Sequence, residues 1–325
     1  MGRYILKRVL QMIPILLGIS ILVFFLMSIR PGDPARIILG PMASNEDVEM
    51  LRESMGMNDP KPVQYLNYMK GIITEFDFGT SYRSGMSVQE EIFERFPVTL
   101  KLTGLALLFA VLVGVTFGVI SAVKQYSIID ILSTFISLFG VSAPSFWIAL
   151  VLVLIFSVQL GWLPSSGTYG PEYWILPTFV MGLQSAASIM RMTRSGMLEV
   201  IRQDYIRTAR AKGQSERNVI IHHALRNSLV TVVTVIGNQA CTLLAGATLV
   251  ETVFSMPGIG KYLIDHISYN DTPAVMGTIL IIGFGCIIVN LITDIIYGFL
   301  DPRLKNAVTR RKRPKNVAMK GGSSN

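Results

Sequence analysis

The chain has one long polar stretch, residues 191–227, between apolar segments, and this stretch carries two short basic motifs. The first reads RTARAKG, from Arg207 to Gly213, and the second reads HALRN, from His223 to Asn227. Arginine and lysine side chains in such a pattern can form charge-assisted hydrogen bonds with carboxylates or backbone carbonyls of another protein. The chemistry indicated is recognition of a partner, and the alternative is a basic loop that rests on lipid headgroups.

The residues around the first motif predict a helix that ends in a glycine turn. Residues 202–212 are mostly good helix formers, and Gly213 suits the left-handed conformation that often follows a helix. Ser215 can then cap a second short helix that contains His222 and Leu225. Two helices joined at a glycine predict a compact arm that projects from the membrane. The candidate contact residues are Arg207, Thr208, Ala209, Arg210, Ala211, Lys212, Gly213, His223, Leu225 and Arg226.

Residue patterns typical of enzymes are missing from the sequence. There are three histidines, with no H-E-x-x-H pattern, and there is no G-x-S-x-G nucleophile elbow. The glycine cluster at residues 258–261 lacks the upstream glycine of a phosphate-binding loop. Cys241 and Cys286 have no metal-ligand spacing, so we expect no metal site. The chain is therefore predicted to be non-catalytic, and if ATP powers it, another chain must bind the ATP.

Composition predicts a membrane protein. The chain is 51% hydrophobic and only 15% charged, whereas soluble domains have about a quarter charged residues. A bilayer core about 30 Å thick requires roughly 20 apolar residues per helix, and six stretches meet this requirement. They are Val9–Ile29, Val98–Val123, Ile131–Leu160, Tyr173–Met190, Ser228–Val250 and Pro273–Leu300. The sequence predicts an all-α, polytopic membrane protein with six transmembrane helices.

Two of the six stretches allow another interpretation. Arg3, Lys7 and Arg8 precede the first stretch as in a secretory signal peptide, but no small-x-small cleavage site follows its long apolar run. This favours a true span. The third stretch is longer than one crossing requires and would be tilted or partly interfacial. Small residues and a proline at 142–145 either bend it or allow close helix packing.

The distribution of lysine and arginine indicates the orientation. With both termini in the cytoplasm, cytoplasmic segments hold 20 of the 29 basic residues, counted over residues 1–8, Lys124, 191–227 and 301–325. The net charge of +8 then reflects this bias, which disfavours nucleic-acid binding. The basic tail, residues 306–325, is expected to lie near anionic lipid. Residues 1–8 form the cytoplasmic N-terminus and residues 9–305 the transmembrane domain.

Residues 30–97 would lie outside the cytoplasm in this orientation. Prolines interrupt the segment, and residues 46–55 and 88–96 predict short amphipathic helices. We expect an external subdomain, and the alternative is a lid at the periphery of a pore.

Polar side chains inside the predicted spans are candidates to line a pathway, because such groups are costly unless they face a cavity or a partner helix. The candidates are Gln184, Asn238, Gln239 and Asp294. For each amide, and above all for Asn290, the alternative is a hydrogen bond between helices. Asp294 lies near the cytoplasmic end, where it could also pair with Arg303.

The arm motifs resemble those of permease subunits of ATP-binding-cassette importers, in the branch that takes up dipeptides, oligopeptides and nickel. That family's signature reads E-A-A, three residues, G, nine residues, I-x-L-P. The corresponding positions here are Arg207, Thr208, Ala209, Gly213, His223, Leu225 and Arg226. Arg207 replaces the glutamate and Arg226 the proline, and RTARAKG with HALRN resembles the version found in the peptide branch. PGDPA, VETVFSMPGIG and DPRL agree as well, so that the resemblance runs from residue 1 to about 305.

The resemblance implies the fold of a type I importer permease in a bacterial or archaeal plasma membrane. It implies a second permease that shares the pathway, two ATPases that bind ATP and Mg²⁺, and an external substrate-binding protein. A helix from about Gly196 to Lys212 would be the coupling helix that sits in a cleft of the ATPase.

Two other classes of transport protein are weighed against this resemblance. A secondary transporter would show inverted repeats and ion-coupling carboxylates near the midplane, and a channel would show a ring of polar or charged residues. No convincing repeat or ring is found in the sequence. The substrate stays open between peptides, nickel and another small solute.

Overall fold

The computed structural model describes residues 2–30 and 32–300, and the predicted basic tail lies outside this part of the chain. The described residues are almost entirely helical, as predicted, with one isolated antiparallel bridge between Thr80 and Ser87. Four helices lead up to the first long internal helix: α1 (Gly2–Ile29), α2 (Pro34–Leu39), α3 (Asn45–Ser54), α4 (Lys61–Glu75) and then α5 (Val88–Val123). The middle of the chain forms α6 (Ile128–Ser142), α7 (Ser145–Leu152), a π-helical segment (Val153–Gln159), a 3₁₀ turn (Pro171–Trp174), α8 (Ile175–Ile201) and α9 (Asp204–Ala211). The remainder forms α10 (Glu216–Asn218), a second π-helical segment (Val219–Leu225), α11 (Arg226–Val253), α12 (Ile259–Ser268) and α13 (Thr272–Leu300).

Four helices among the described residues are long and apolar enough to cross a membrane, and a bent helix pair allows a fifth crossing. The four are Leu10–Ile29, Val88–Val123, Glu216–Val253 and Thr272–Gly298. They match the predicted first, second, fifth and sixth spans. The predicted fourth span falls on α8, whose C-terminal part carries charged residues. The count of six crossings is consistent with this arrangement and stays a prediction.

The third predicted span is wrong as a single helix. Residues 128–142 and 145–159 form two helices that meet at 105°. Ala143 between them is extended, with φ −80° and ψ 132°. Pro144 explains the break, because it has no backbone N–H and disfavours the helical conformation in the residue before it. The bend considered for residues 142–145 is therefore confirmed.

Residues 30–97, predicted to lie outside the cytoplasm, contain more helix than the sequence indicated. The predicted helix at 46–55 is confirmed as α3. The predicted short helix at 88–96 is wrong as a separate element, because α5 continues through Pro97 into the second span. The helices α2 and α4 were not predicted. Pro34 and Pro62 stand in their first turns, where a missing N–H costs little.

α8 lies at the centre of the helix bundle and packs against α5, α6 and α11. Small residues allow its close approach to α5. A Cβ on Gly114 would lie 2.7 Å from the carbonyl oxygen of Ala186, and one on Gly182 would lie 2.9 Å from that of Ala106. The bundle therefore holds α8 rigidly, and the C-terminal end of α8 leads into the polar arm.

Candidate functional site

The first limb of the polar arm is a separate helix. The implied coupling helix from Gly196 to Lys212 is wrong as one element, because α8 ends at Ile201 and α9 begins at Asp204. Gln203 between them is extended, with φ −73° and ψ 148°. The arm therefore has its own joint with α8, two residues long. Residues 191–201, which the sequence placed in the polar stretch, form the last turns of α8.

The second limb of the arm is continuous with a membrane span. A separate short helix after Ser215 was predicted, and this is wrong. From Glu216 the chain stays helical through the π-helical segment and α11 to Val253, over 38 residues. Ser215 precedes this helix without a capping hydrogen bond from its side chain. Any displacement of the second limb is thus transmitted directly to α11.

The turn between the limbs has the geometry that the sequence predicted. Gly213 has φ +77°, in the left-handed region that glycine favours. Its N–H donates to the carbonyl of Arg210 at 2.9 Å, closing the end of α9. Since a Cβ on Gly213 would meet no atom within 4 Å, the constraint on this residue comes from the backbone conformation alone.

Polar side chains brace the two limbs against each other. Arg210 forms two hydrogen bonds with Glu216 across the turn, Nη2 to Oε1 at 2.6 Å and Nε to Oε2 at 3.0 Å. Gln214 Oε1 accepts a hydrogen bond from His223 Nε2 at 2.7 Å. Together these contacts fix the angle between α9 and the second limb.

An apolar cluster packs the arm against α5 and α8. Ile206 and Ala209 on α9 are buried against Met197 of α8 and Ala122 of α5, and Val219 and Ala224 of the second limb complete the cluster. A buried cluster of this kind moves as a unit with the helices that it joins. A force applied to the arm would therefore reach α5, α8 and α11.

The predicted contact residues divide by exposure. The exposed ones are Arg207, Thr208, Arg210, Ala211, Lys212, Gly213 and Arg226. His223 and Leu225 are half-buried, and Ala209 is buried. Arg207 and Lys212 make no ion pair within the described residues, and their charges face solvent. Sequence reasoning missed Ile206, Gln214 and Glu216, although Ile206 stands three residues before Ala209, the spacing of one helix face.

The candidate pathway residues do not gather in one place. Asn238 and Asp294 line a cavity of about 660 Å³ between α1, α11 and α13, and Asn290 lies there as well. Gln239 instead accepts a hydrogen bond from Ser185 of α8 at 3.0 Å, which is the helix-to-helix role that was the alternative. Gln184 is exposed on the surface of this single chain. Arg303, the suggested partner of Asp294, lies outside the described residues.

An ion pair that the sequence did not predict joins α6 and α8 near the arm. Arg194 donates to both carboxylate oxygens of Asp130, at 2.7 and 2.8 Å, and Ser121 of α5 also donates to this carboxylate. Three helices thus meet at one buried aspartate. The pairing joins residues 64 positions apart, and no local pattern in the sequence signals it.

Comparison with known families covers nearly the whole chain. A family described as "Binding-protein-dependent transport system inner membrane component" matches residues 114–306. The N-terminal family of the same transport-system membrane components matches residues 1–103.

Curated relatives match over their full length. The dipeptide transport system permease protein DppB of Alkalihalophilus pseudofirmus is 42% identical, with 93% of this chain and 99% of that protein covered. The oligopeptide transport system permease protein AppB of Bacillus subtilis is 42% identical, with 94% and 100% covered. The glutathione transport system permease protein GsiC of Salmonella typhimurium is 40% identical, with 94% and 99% covered.

The fold also has a counterpart among solved structures. The inward-facing MetNI methionine ABC transporter gives a TM-score of 0.56 at 18% identity, over 66% of this chain and 97% of that one. At this identity the similarity is one of fold.

Proposed function

This chain belongs to the family of binding-protein-dependent transport system inner membrane components, and we propose that it forms the membrane pathway of an ATP-driven importer for peptides together with a second permease. It is a multi-pass membrane protein and a permease subunit of the ABC importer class. The secondary transporter and the channel considered from the sequence are not supported. The observation that carries the peptide assignment is the similarity over 93–94% of the chain to permeases named for dipeptides and oligopeptides.

The arm is proposed to receive the movement of two ATPase subunits. Its exposed cations, Arg207 and Lys212, suit acidic or carbonyl groups in a cleft of the ATPase. The cluster under the arm and the continuous second limb would carry the movement into the spans. Rigid-body switching of this type requires packed contact between the moving parts. The bracing by Arg210 and Glu216 supplies stiffness at the point of contact.

ATP and Mg²⁺ are proposed to bind to the ATPase partners and not to this chain. A substrate-binding protein is proposed to deliver the peptide to the external subdomain. This arrangement requires both termini and the arm to lie in the cytoplasm, as the charge bias favours. Labelling of a cysteine at position 54 from outside only, and of one at position 215 from inside only, would support that orientation. The reverse pattern would refute it.

Transport by the reconstituted complex tests the proposal. The chain, its permease and ATPase partners and the binding protein would be assembled in proteoliposomes, and uptake of labelled dipeptides, longer peptides and nickel would be measured. We expect uptake of a peptide that needs both ATP and the binding protein. The matched control is the same complex with an ATPase that binds ATP without hydrolysing it. Uptake of nickel alone, or peptide uptake driven by an ion gradient without ATP, would refute the proposal.

A further inference from the structure

Helix α4, which the sequence did not predict, lies beside the outer half of α1. The hydroxyl of Tyr65 is 2.7 Å from Ser20 Oγ, and the ring of Tyr65 meets that of Phe24 edge-on at 5.4 Å. Phe24 belongs to the apolar span Leu10–Ile29 and stands five positions before its end, about 8 Å along the helix at 1.5 Å per residue. The hydroxyl of Tyr65 reaches deeper, to Ser20. α4 therefore lies beside the last turns of α1, close to the level at which this span ends.

The outward face of α4 carries three exposed apolar side chains, and Lys70 stands among them on the same face. Val63, Leu66 and Ile73 are 40%, 63% and 74% exposed, and their spacing of three and seven residues places them on one helix face. The opposite face carries Tyr68 and Ile72, which pack into the cluster formed by the outer ends of α5, α12 and α13. α4 is thus an amphipathic helix with its polar backbone satisfied, its inner face packed and its apolar face unpartnered.

The surroundings of this face indicate what covers it. It lies near the apolar surface of α1, where Ile21 and Phe25 are 54% and 61% exposed, and exposed apolar residues of a membrane span contact acyl chains unless another membrane protein covers them. Lys61 and Lys70 of α4 are exposed, and their long side chains can reach phosphate groups. Tyrosine at such a boundary is typical of the membrane interface.

We propose that α4 is an interfacial membrane helix, with Val63, Leu66 and Ile73 among the acyl chains beneath the headgroups and its lysines among the lipid phosphates. A helix of this kind lies in the plane of the membrane and is held by its buried apolar face. It fixes the external subdomain at a set height above the bilayer. Under the function proposed above, this is the height at which α2 and α3 would meet the binding protein.

Spin labels measure the position of α4 relative to lipid. Leu66→Cys and Ile73→Cys would be made in a chain whose Cys241 and Cys286 are replaced by alanine, and labelled with a nitroxide in the complete transporter in lipid nanodiscs. Met42→Cys and Met50→Cys are the matched controls, because Met42 and Met50 are 96% and 62% exposed on the same subdomain. All four positions are exposed, so the label requires no repacking.

Collisions with oxygen, which concentrates in acyl chains, would be compared with collisions with a water-soluble nickel chelate. We expect oxygen to exceed the nickel chelate at positions 66 and 73 and the opposite order at 42 and 50. Nickel accessibility at 66 and 73 equal to that at 42 would overturn the proposal. The proposal would also be overturned if positions 66 and 73 became protected from both reagents only after the loaded binding protein is added, because the face would then be a protein contact. Neither readout depends on which peptide is transported or on which side of the membrane α4 lies.

Discussion

Reversing the charge of Arg210 tests whether this residue braces the arm or contacts an ATPase. In the structure Arg210 and Glu216 form a two-bonded ion pair across the turn at Gly213. Arg210→Glu replaces this attraction with a repulsion between two carboxylates at the same place. We expect the angle between α9 and the second limb to become variable, so that ATPase movement is transmitted less efficiently.

The size of the effect follows from the exposure of the pair. The two side chains are 39% and 56% exposed, and exposed ion pairs contribute about 0.2–1 kcal/mol. A like-charged pair disfavours the braced geometry by a similar amount. Arg210→Glu should therefore lower the free energy that favours the braced arm by about 0.5–2 kcal/mol in all. This corresponds to a decrease of roughly two- to thirtyfold in the ratio of braced to unbraced arm. Raising the salt concentration should bring this ratio in the variant closer to its value in the parent, because salt screens the charges.

The assay is peptide-stimulated ATP hydrolysis by the reconstituted complex. Arg210→Glu should lower the stimulated rate, and the double reversal Arg210→Glu with Glu216→Arg should restore most of it, because the pair re-forms with opposite polarity. Arg207→Glu is the matched control: Arg207 has no ion pair within the described residues, so adding Glu216→Arg should not rescue it. If the double reversal is as defective as Arg210→Glu alone, Arg210 acts on an acidic group of the partner and the bracing argument is wrong.

Three further predictions follow from other parts of the structure. Gly213→Val should lower coupled uptake more than Gly213→Asn, because a left-handed backbone costs a β-branched residue about 1–2 kcal/mol and asparagine less; equal uptake would show that the turn angle is unimportant. Gly114→Val should lower the thermal unfolding midpoint by forcing α5 from α8, at a cost of about 1–3 kcal/mol, whereas Gly104→Val, with open space around the glycine, should leave it nearly unchanged. Burial raises the pKa of Asp33, but the hydrogen bond and the charge of Arg52 lower it by more, so that the pKa lies below the ordinary 3.8. The pair therefore stabilises the subdomain above pH 3.8, and this stabilisation is lost as the pH falls through the depressed pKa. Proteolysis of the subdomain should rise below about pH 4 in the parent and depend less on pH in Asp33→Asn.

Sequence patterns predicted the elements whose signals are local. Apolar runs of membrane length predicted the helices that contain the first, second, fifth and sixth spans, and Gly213 predicted the turn of the arm, because a left-handed residue after a helix has a recognisable identity. The bend at Pro144 has an equally local cause. These features depend on a few neighbouring residues, which is why a single sequence suffices for them.

The features that the sequence did not predict depend on tertiary contacts. α8 extends to Ile201 and so includes polar residues that the sequence placed in the arm. One of them, Arg194, pairs with Asp130, 64 positions earlier. α4 has a mixed composition with lysines and a glycine, and it becomes recognisable as an element only when Tyr65 meets α1. The candidate pathway amides illustrate the same limit, because Asn238 and Gln239 are neighbours in sequence and yet one lines a cavity while the other bonds to α8.

The two limbs of the arm differ in how they can transmit movement. The first limb meets α8 through a two-residue joint and is held to it by side-chain packing of Ile206 and Ala209 against Met197. The second limb runs as one helix for 38 residues, about 57 Å, to the outer end of α11. There the buried carboxylate of Glu251 accepts hydrogen bonds from the hydroxyl of Thr99 on α5 and from the backbone N–H of Lys261 on α12. Because a buried carboxylate is costly to leave unpaired, these three helices should move together. A displacement of the arm would then appear at α12, beyond the opposite end of α11.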